Sequence, residues 1–159
     1  MSGSPIEIVS AHSPDSDDAF MFYALATRKI RSSKVTFRHV LEDIESLNRK
    51  AVEGLYGLSA ISYHAYPYVA GKYVVMASGS SVGDGYGPLV VALRPMEPED
   101  LKGKKIAVPG TLTSAFLTLK LFQPDFQHVV VPFDKVLDAV REKTVDAGLI
   151  IHEAQLTYS

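Results

Sequence analysis

The chain has 159 residues, of which 47% are hydrophobic and 21% are charged, and these fractions exclude disordered, collagen-like and low-complexity proteins. Sixteen Lys and Arg residues against 18 Asp and Glu give a net charge of -2 without a basic tract, so nucleic acid is not an expected partner. The absence of cysteine excludes disulfides and thiolate metal sites, and it fits a reducing compartment such as the cytoplasm. Neither a signal-peptide pattern nor an apolar run of about 20 residues is present, so we expect no membrane segment.

The first half of the sequence alternates between strand and helix patterns. A short apolar run at Ile6–Ala11 predicts a strand, and helical spacing of apolar residues begins at Asp18, with Asp17 or Asp18 as the expected cap. The pattern continues with a strand at Val35–Leu41, a helix opened by Asp43 and ended by Gly54, a strand at Leu58–Ile61 and a short helix disturbed by Pro67. This order predicts one βαβαβ unit.

A second unit follows a linker. Two more strand-like runs, Tyr73–Ala77 and Pro88–Leu93, flank a glycine-rich loop, and Arg94–Asp100 then combines two prolines with three acids. We therefore place residues 1–93 in a first lobe and residues 94–159 in a second. The second lobe repeats βαβαβ, with predicted strands at 105–108, 129–131 and 145–151 and helices at 114–122 and 135–143. Tandem α/β units of this kind form parallel sheets.

Ligands of parallel α/β sheets bind beyond the carboxyl ends of strands, and four loops of this chain have that position. These loops are Ser13–Asp18, Ser62–His64, Gly110–Ala115 and His152–Glu153. His12 and His64 also follow strands and are candidates to line the same cleft.

His152 follows the apolar run Ala147–Ile151, which places it at the end of a predicted buried strand. An imidazole with an ordinary pKa of about 6.5 accepts a proton at neutral pH, so this position suits a general base. The alternative is a histidine that ends a strand without a chemical role.

Two loops offer groups that bind ions. Gly110–Ala115 leads into a helix and offers hydroxyls, backbone N–H groups and the positive end of a helix dipole, which suit a carboxylate or phosphate. A well-capped helix without a ligand is the alternative. The acidic loop Asp15–Asp18 lacks calcium-loop spacing, so capping is favoured there over metal binding.

Five segments of the chain, taken in order, resemble the 1,4-dihydroxy-6-naphthoate synthase family of the futalosine route to menaquinone. They are His12–Tyr23, Leu41–Asn48, Ile61–Tyr66, Gly83–Ala92 and Gly148–Glu153. The resemblance implies a cytoplasmic enzyme with a two-lobed, periplasmic-binding-protein-like (type II) fold and the ligand between the lobes. It also implies a lyase that cleaves a carbon–carbon bond of cyclic dehypoxanthinylfutalosine, a small-molecule carboxylate, by general-base catalysis without a metal or organic cofactor.

The roles of individual residues follow from the resemblance. His152 matches the family's proposed base. Asp18 matches the acid of the family's first loop, where it caps the helix or touches the sugar-derived part of the substrate. Four residues match positions that hold the substrate's carboxylate and hydroxyls: Ser62, Thr113, Ser114 and Ala115.

The chain departs from the family pattern in two ways. Ser16 stands where the first loop often carries proline, which changes the stiffness of that loop. The family's chains also continue through the rest of the second lobe and back to the first, so the fold is expected to be incomplete at its C-terminal part. Apolar surface exposed where those parts pack would favour self-association, which makes a homo-oligomer one expectation.

Two other functions share this fold. Chorismate dehydratase belongs to the same pathway, and a solute-binding protein would capture a small carboxylate without chemistry. The loop Asp84–Pro88 and the ending Ile150–Glu153 favour the synthase.

Overall fold

The computed structural model of the chain describes residues 4–151, 153–156 and 158. The strands are β1 (Ile6–His12), β2 (Val35–Leu41), β3 (Leu58–Ser59), β4 (Leu89–Val91), β5 (Lys105–Val108), β6 (Gln127–Val130) and β7 (Ala147–Ile150). The α-helices are α1 (Ser16–Ala26), α2 (Ile44–Glu53), α3 (Tyr66–Val69), α4 (Ser114–Phe122) and α5 (Val136–Arg141), and short 3-10 turns lie at Pro98–Leu101, Phe133–Lys135 and Glu153–Leu156. The chain divides into two compact units, Met1–Val82 and Gly83–Ser159.

The first unit contains a three-stranded parallel sheet in the order β2-β1-β3. β1 and β2 run in register from the pair Ile6 and Val35 to the pair His12 and Leu41. Because the strands are parallel and joined through α1 and α2, their carboxyl ends meet at one edge of the sheet. The predicted βαβαβ unit is confirmed.

Helix α2 has the ends that its sequence predicts. The Asp43 side chain accepts a hydrogen bond from the backbone N–H of Ser46 at 3.0 Å, and Gly54 closes the helix with a φ of 79°. A left-handed residue at this position is the usual reason for glycine after a helix. The buried face of α2 includes Leu47 and Ala51, with Asn48 between them.

The start of α1 differs from its prediction. Asp15 occupies the cap position without a capping hydrogen bond from its side chain. The Asp18 carboxylate instead accepts the backbone N–H of Ser13, at 2.6 Å. Neither Asp17 nor Asp18 therefore stands at the cap position itself. Asp17 Oδ1 does accept a first-turn backbone N–H, that of Asp18, at 2.8 Å. The Asp18 carboxylate is instead used by the loop before the helix, which folds back onto it.

The second unit contains a four-stranded sheet in the order β4-β7-β5-β6. β5 is parallel to β6 and β7, as predicted, whereas β4 is antiparallel to β7. α5 crosses the sheet closely at Gly148, where an added Cβ would lie 2.6 Å from a methyl carbon of Val136 and 2.9 Å from one of Val140. Only a glycine allows this approach.

The division between the units falls earlier than the predicted boundary between residues 93 and 94. The reason is that β4 pairs with β7, so the segment before the proline-rich linker joins the second unit. The predicted strand Tyr73–Ala77 is also absent: this segment has no regular structure, and Val74 is 87% exposed. Pro67 lies in the first turn of α3 rather than interrupting it, because that turn does not need its N–H group.

Among the described residues, no helix is both long enough and apolar enough to cross a membrane.

Candidate functional site

The carboxyl edge of the first sheet carries a cluster of buried polar groups. His12 ends β1, Ser13 follows it, and Asp18 approaches from the first turn of α1; their exposed fractions are 5%, 4% and 8%. The short bond between the Asp18 carboxylate and the Ser13 N–H fixes the loop. Burial raises the pKa of Asp18, and the Ser13 N–H offsets part of that rise.

His12 is held on three sides. Its ring stacks on Phe22 with 4.2 Å between centroids and 5° between planes. Its Nδ1 lies 3.1 Å from the Ser13 carbonyl oxygen, which only accepts, so Nδ1 carries a proton and donates it. Its Nε2 lies 3.1 Å from Nδ1 of His39 and in the neutral ring accepts that N–H. His12 therefore holds the loop at Ser13 through Nδ1 and pairs with His39 of β2 through Nε2.

His39 completes the pair from β2. Burial lowers the pKa of His39, and the neighbouring His12 lowers it further. Its Nε2 is buried and has no hydrogen-bond partner among the described residues. The neutral form of the His39 imidazole is thus favoured.

Ser62 lies after β3, at the same edge of the first sheet. Asn48, whose side chain is fully buried in α2, accepts the Ser62 backbone N–H at Oδ1, 2.8 Å away, and donates from Nδ2 to Ser62 Oγ at 3.0 Å. Since Ser62 Oγ already accepts, its own proton remains to be donated, and no described residue accepts it. Close by, the His64 ring meets Tyr68 edge-on at 5.9 Å.

The second unit places Thr113 at the start of α4. Its Oγ1 accepts the backbone N–H of Phe116 at 3.2 Å and donates to the Gly110 carbonyl at 2.9 Å. Thr113 is 2% exposed and has an extended backbone, as a helix cap requires. The Thr113 hydroxyl thus gives its proton to Gly110 and shapes the loop, and its role towards a ligand stays a prediction.

Ser114 and Ala115 form the first turn of α4. Ala115 is 7% exposed and packs in the core, whereas Ser114 is half-buried. The first backbone N–H groups of a helix point along its axis and carry a partial positive charge. This turn can therefore hold a carboxylate or a hydroxyl oxygen.

His152, the predicted base, lies outside the described residues. The strand that leads to it is described: β7 is buried throughout and ends at Ile150. The part of the prediction that concerns the buried strand is confirmed, and the role of the imidazole stays a prediction.

The described residues contain no group of three or more His, Asp or Glu side chains with a geometry suited to a metal ion. Two acidic side chains of the first turn of α1 accept backbone N–H groups: Asp17 that of Asp18, and Asp18 that of Ser13.

Sequence reasoning missed the residues that support the site. Asn48 could have been found as a polar residue on the apolar stripe of α2, between Leu47 and Ala51. The pairing of His12 with His39 depends on the register of β1 against β2, for which the sequence carries no direct signal.

Comparison with known proteins identifies relatives along the whole chain. The family model for menaquinone biosynthesis matches residues 8–159. A curated protein from Thermus thermophilus, named 1,4-dihydroxy-6-naphtoate synthase, is 45% identical over 92% of this chain and 53% of its own length. A protein of the same name from Streptomyces coelicolor is 36% identical over 99% of this chain and 56% of its own. The chain thus spans about half the length of the curated relatives it matches.

Solved structures agree with this relationship. A crystal structure of an Archaeoglobus fulgidus protein matches with a TM-score of 0.88 and 52% identity, over 96% of this chain and 56% of that one. The periplasmic aliphatic sulphonate binding protein of Escherichia coli matches with a TM-score of 0.60 at 15% identity, over 98% of this chain and 58% of that one, which shows the fold alone. The expected periplasmic-binding-protein-like α/β fold is confirmed. The chain belongs to the menaquinone biosynthesis family.

Proposed function

We propose that this chain acts in menaquinone biosynthesis as a 1,4-dihydroxy-6-naphthoate synthase, with cyclic dehypoxanthinylfutalosine as its substrate. The observation that carries the proposal is the 45% identity with a protein of that name across 92% of the chain. Because the chain covers 53% of that relative, the complete activity is proposed for the chain together with the rest of the family fold.

Each unit, taken by itself, contains groups suited to an oxygen-rich, anionic substrate. In the first unit, Ser62 has a hydroxyl proton to donate, and its oxygen is fixed by Asn48. In the second unit, the first turn of α4 at Ser114 and Ala115 offers backbone N–H groups and a positive dipole end. Asp18 is proposed to act through the loop that it fixes, since its carboxylate already binds the Ser13 N–H.

The proposed chemistry starts with a proton transfer. His152 removes a proton from the substrate as general base, and the electron pair released drives cleavage of the carbon–carbon bond. A lyase of this kind needs the imidazole neutral before the step. The buried strand β7 ends two residues before His152 in the sequence.

The test is turnover of cyclic dehypoxanthinylfutalosine, followed by chromatography of 1,4-dihydroxy-6-naphthoate. The chain is assayed alone and together with the part of the Archaeoglobus fulgidus relative that it does not cover. We expect product in at least one preparation, and a loss of about a hundredfold or more in kcat for His152→Ala with little change in substrate affinity. Glu153→Gln is the matched control and should keep its activity.

Other outcomes would contradict the proposal. Equal rates for His152→Ala and the parent chain would show that His152 is not the general base. Tight binding of the substrate without product in either preparation would favour a solute-binding protein. Dehydration of chorismate, when chorismate replaces cyclic dehypoxanthinylfutalosine as the substrate, would favour chorismate dehydratase.

A further inference from the structure

The two histidines of the first sheet share one proton between two facing nitrogens. His39 is the register partner of Ser10, so its side chain lies on the same face of the sheet as that of His12, two residues further along β1. His12 Nε2 and His39 Nδ1 are 3.1 Å apart. The stack of His12 on Phe22 fixes the plane in which the His12 nitrogens point. A hydrogen bond forms here only when one of the two facing nitrogens carries a proton and the other does not.

Two neutral arrangements of the pair meet that condition, and Ser13 distinguishes them. In the first, His39 donates from Nδ1, and His12 carries its own proton on Nδ1, where the Ser13 carbonyl oxygen accepts it at 3.1 Å. In the second, His12 donates from Nε2, so its unprotonated Nδ1 faces that carbonyl as a second acceptor. His39 Nε2 has no hydrogen-bond partner among the described residues, so it gains nothing in either arrangement. Because only the first keeps the contact with Ser13, the donor at His39 Nδ1 and the proton at His12 Nδ1 belong together.

The backbone of Ser13 is thereby held from two directions. Its N–H is bound by the Asp18 carboxylate at 2.6 Å, and its carbonyl oxygen is bound by His12. Its Oγ accepts the backbone N–H of Asp15 at 3.0 Å. The loop between β1 and α1 therefore depends on the position of one proton on His12, and a residue of β2 determines that position.

We propose that His39 is a positioning residue for the candidate site: its Nδ1–H fixes the tautomer of His12, and His12 in that tautomer fixes the loop at Ser13. The part that concerns the substrate rests on the proposed function, in which this loop borders the substrate. A charged His12 carries protons on both nitrogens and can hold Ser13 without help from a neighbour. His39 is therefore needed only while His12 is neutral.

Charged groups on the surrounding elements also enter the pH dependence. They are Asp17 and Asp18 in α1, Glu7 in β1, Arg38 in β2, and Glu42 and Asp43 after β2. Glu7 and Arg38 form an ion pair on the opposite face of the sheet, and Glu42 is bound by Lys50. The Asp18 carboxylate is the one attracted by a charge on His12, and it also binds Ser13. An acid response of the loop must therefore be compared between variants that differ at His39 alone.

The test reads the tautomer of His12 directly. Heteronuclear NMR spectra of the histidine rings report which nitrogen carries a proton, in the parent chain and in three variants. His39→Phe keeps an aromatic ring and removes the donor. His39→Asn keeps a donor that does not titrate, because Nδ2 of asparagine is as many bonds from Cβ as Nδ1 of histidine. His128→Asn is the matched control, since it changes an exposed histidine of β6 in the other unit.

At neutral pH we expect the His12 proton on Nδ1 in the parent chain, His39→Asn and His128→Asn, and a shift of that proton towards Nε2 in His39→Phe. Protection of the Ser13 N–H against hydrogen exchange should fall about fivefold or more in His39→Phe at neutral pH. At an acid pH where the spectra show His12 charged, the same variant should differ from the parent by less than about twofold. His39→Asn should match the parent at both pH values.

A His12 proton on Nε2 in the parent chain at neutral pH would overturn the proposal, and this measurement needs no variant. So would an equal loss of Ser13 protection in His39→Phe at both pH values, because lost packing and not the tautomer would then be the cause. In the turnover assay, His39→Phe should raise KM at neutral pH more than it lowers kcat, and His39→Asn should restore KM. An inactive parent chain would contradict the proposed function, whereas the tautomer of His12 is measured without substrate.

Discussion

Asn48 holds Ser62 by two hydrogen bonds, one to the backbone N–H at 2.8 Å and one to Oγ at 3.0 Å. The orientation of the amide is determined, because the Ser62 N–H can only donate and must face Oδ1. The buried residue of α2 therefore sets the direction in which the Ser62 hydroxyl presents its proton.

Removing this contact should destabilise the first unit. Asn48→Ala leaves the Ser62 N–H without its partner inside the protein, so we expect a loss of about 1–3 kcal/mol in the free energy of unfolding. A double-mutant cycle with Ser62→Ala, measured by urea unfolding, should give a coupling of about 0.5 kcal/mol or more for the side-chain bond. Additive effects of the two variants would show that Asn48 does not act through the Ser62 hydroxyl.

Thr113 should matter for stability through its hydroxyl. Thr113→Ala removes both the cap of α4 and the bond to Gly110, and we expect it to cost about 1–2 kcal/mol. Thr113→Ser keeps the same oxygen and should retain most of that stability. Thermal unfolding of the two variants and the parent chain measures the stability that each substitution removes. Equal losses would mean that the methyl group, and not the hydroxyl, makes the contribution.

Gly148 should not accept a side chain. The Cβ of Gly148→Ala would meet Val136 at 2.6 Å and Val140 at 2.9 Å, both in the packed interface of α5 and β7. We expect a loss of about 1–3 kcal/mol from overpacking, measured by chemical unfolding. Gly87→Ala is the control, because nothing lies within 4 Å of its added Cβ. Similar stabilities for the two variants would contradict the close helix–sheet contact.

Two carboxyl groups should affect the pH dependence of stability with opposite signs. Burial raises the pKa of Asp18 above its ordinary 3.8, so its stabilising contribution is complete below that value and is lost as the pH rises through the folded-state pKa. Asp18→Asn keeps an oxygen for the Ser13 N–H but has no such loss. We therefore expect this variant to gain stability relative to the parent chain between acid and neutral pH, as measured by urea unfolding.

Glu42 is the opposite case. Hydrogen bonds from Lys50, 2.6 Å away, and from Tyr56, 2.7 Å away, lower the pKa of Glu42 below its ordinary 4.5. Its contribution is present above 4.5 and is lost as the pH falls through the lower folded-state pKa. Glu42→Gln should thus lose stability relative to the parent chain as the pH rises from acid to neutral. The same slope for Glu42→Gln and Asp18→Asn would contradict both assignments.

The elements set by local pattern were predictable. β2, α4 and β5 have the bounds that the sequence predicts, because alternation and helical spacing are properties of neighbouring residues. The segment Tyr73–Ala77 shows the limit of this reasoning. It has the composition of a strand, but a strand forms only where another strand pairs with it, and none of the described residues does.

In the candidate site, too, the features set by local sequence were predictable and the long-range contacts were not. The loops at the ends of β3 and β5 were predictable from the order of strands and helices, and both carry the expected hydroxyls at Ser62 and Thr113. The hydrogen-bond partners of those hydroxyls could not be predicted from the sequence. Asn48 lies 14 positions from Ser62, and only the folded packing of α2 on the sheet brings them together.

The antiparallel pairing of β4 with β7 joins the first strand of the second unit to its last. During synthesis from the N-terminus, β4 therefore waits for this partner until β7 has emerged, whereas the three described strands of the first sheet have all emerged at Ser59. Through that interval the apolar strand is exposed to other nascent chains. The prolines and acids of Arg94–Asp100 follow it almost directly, and residues of these types disfavour the pairing of an exposed strand with another chain.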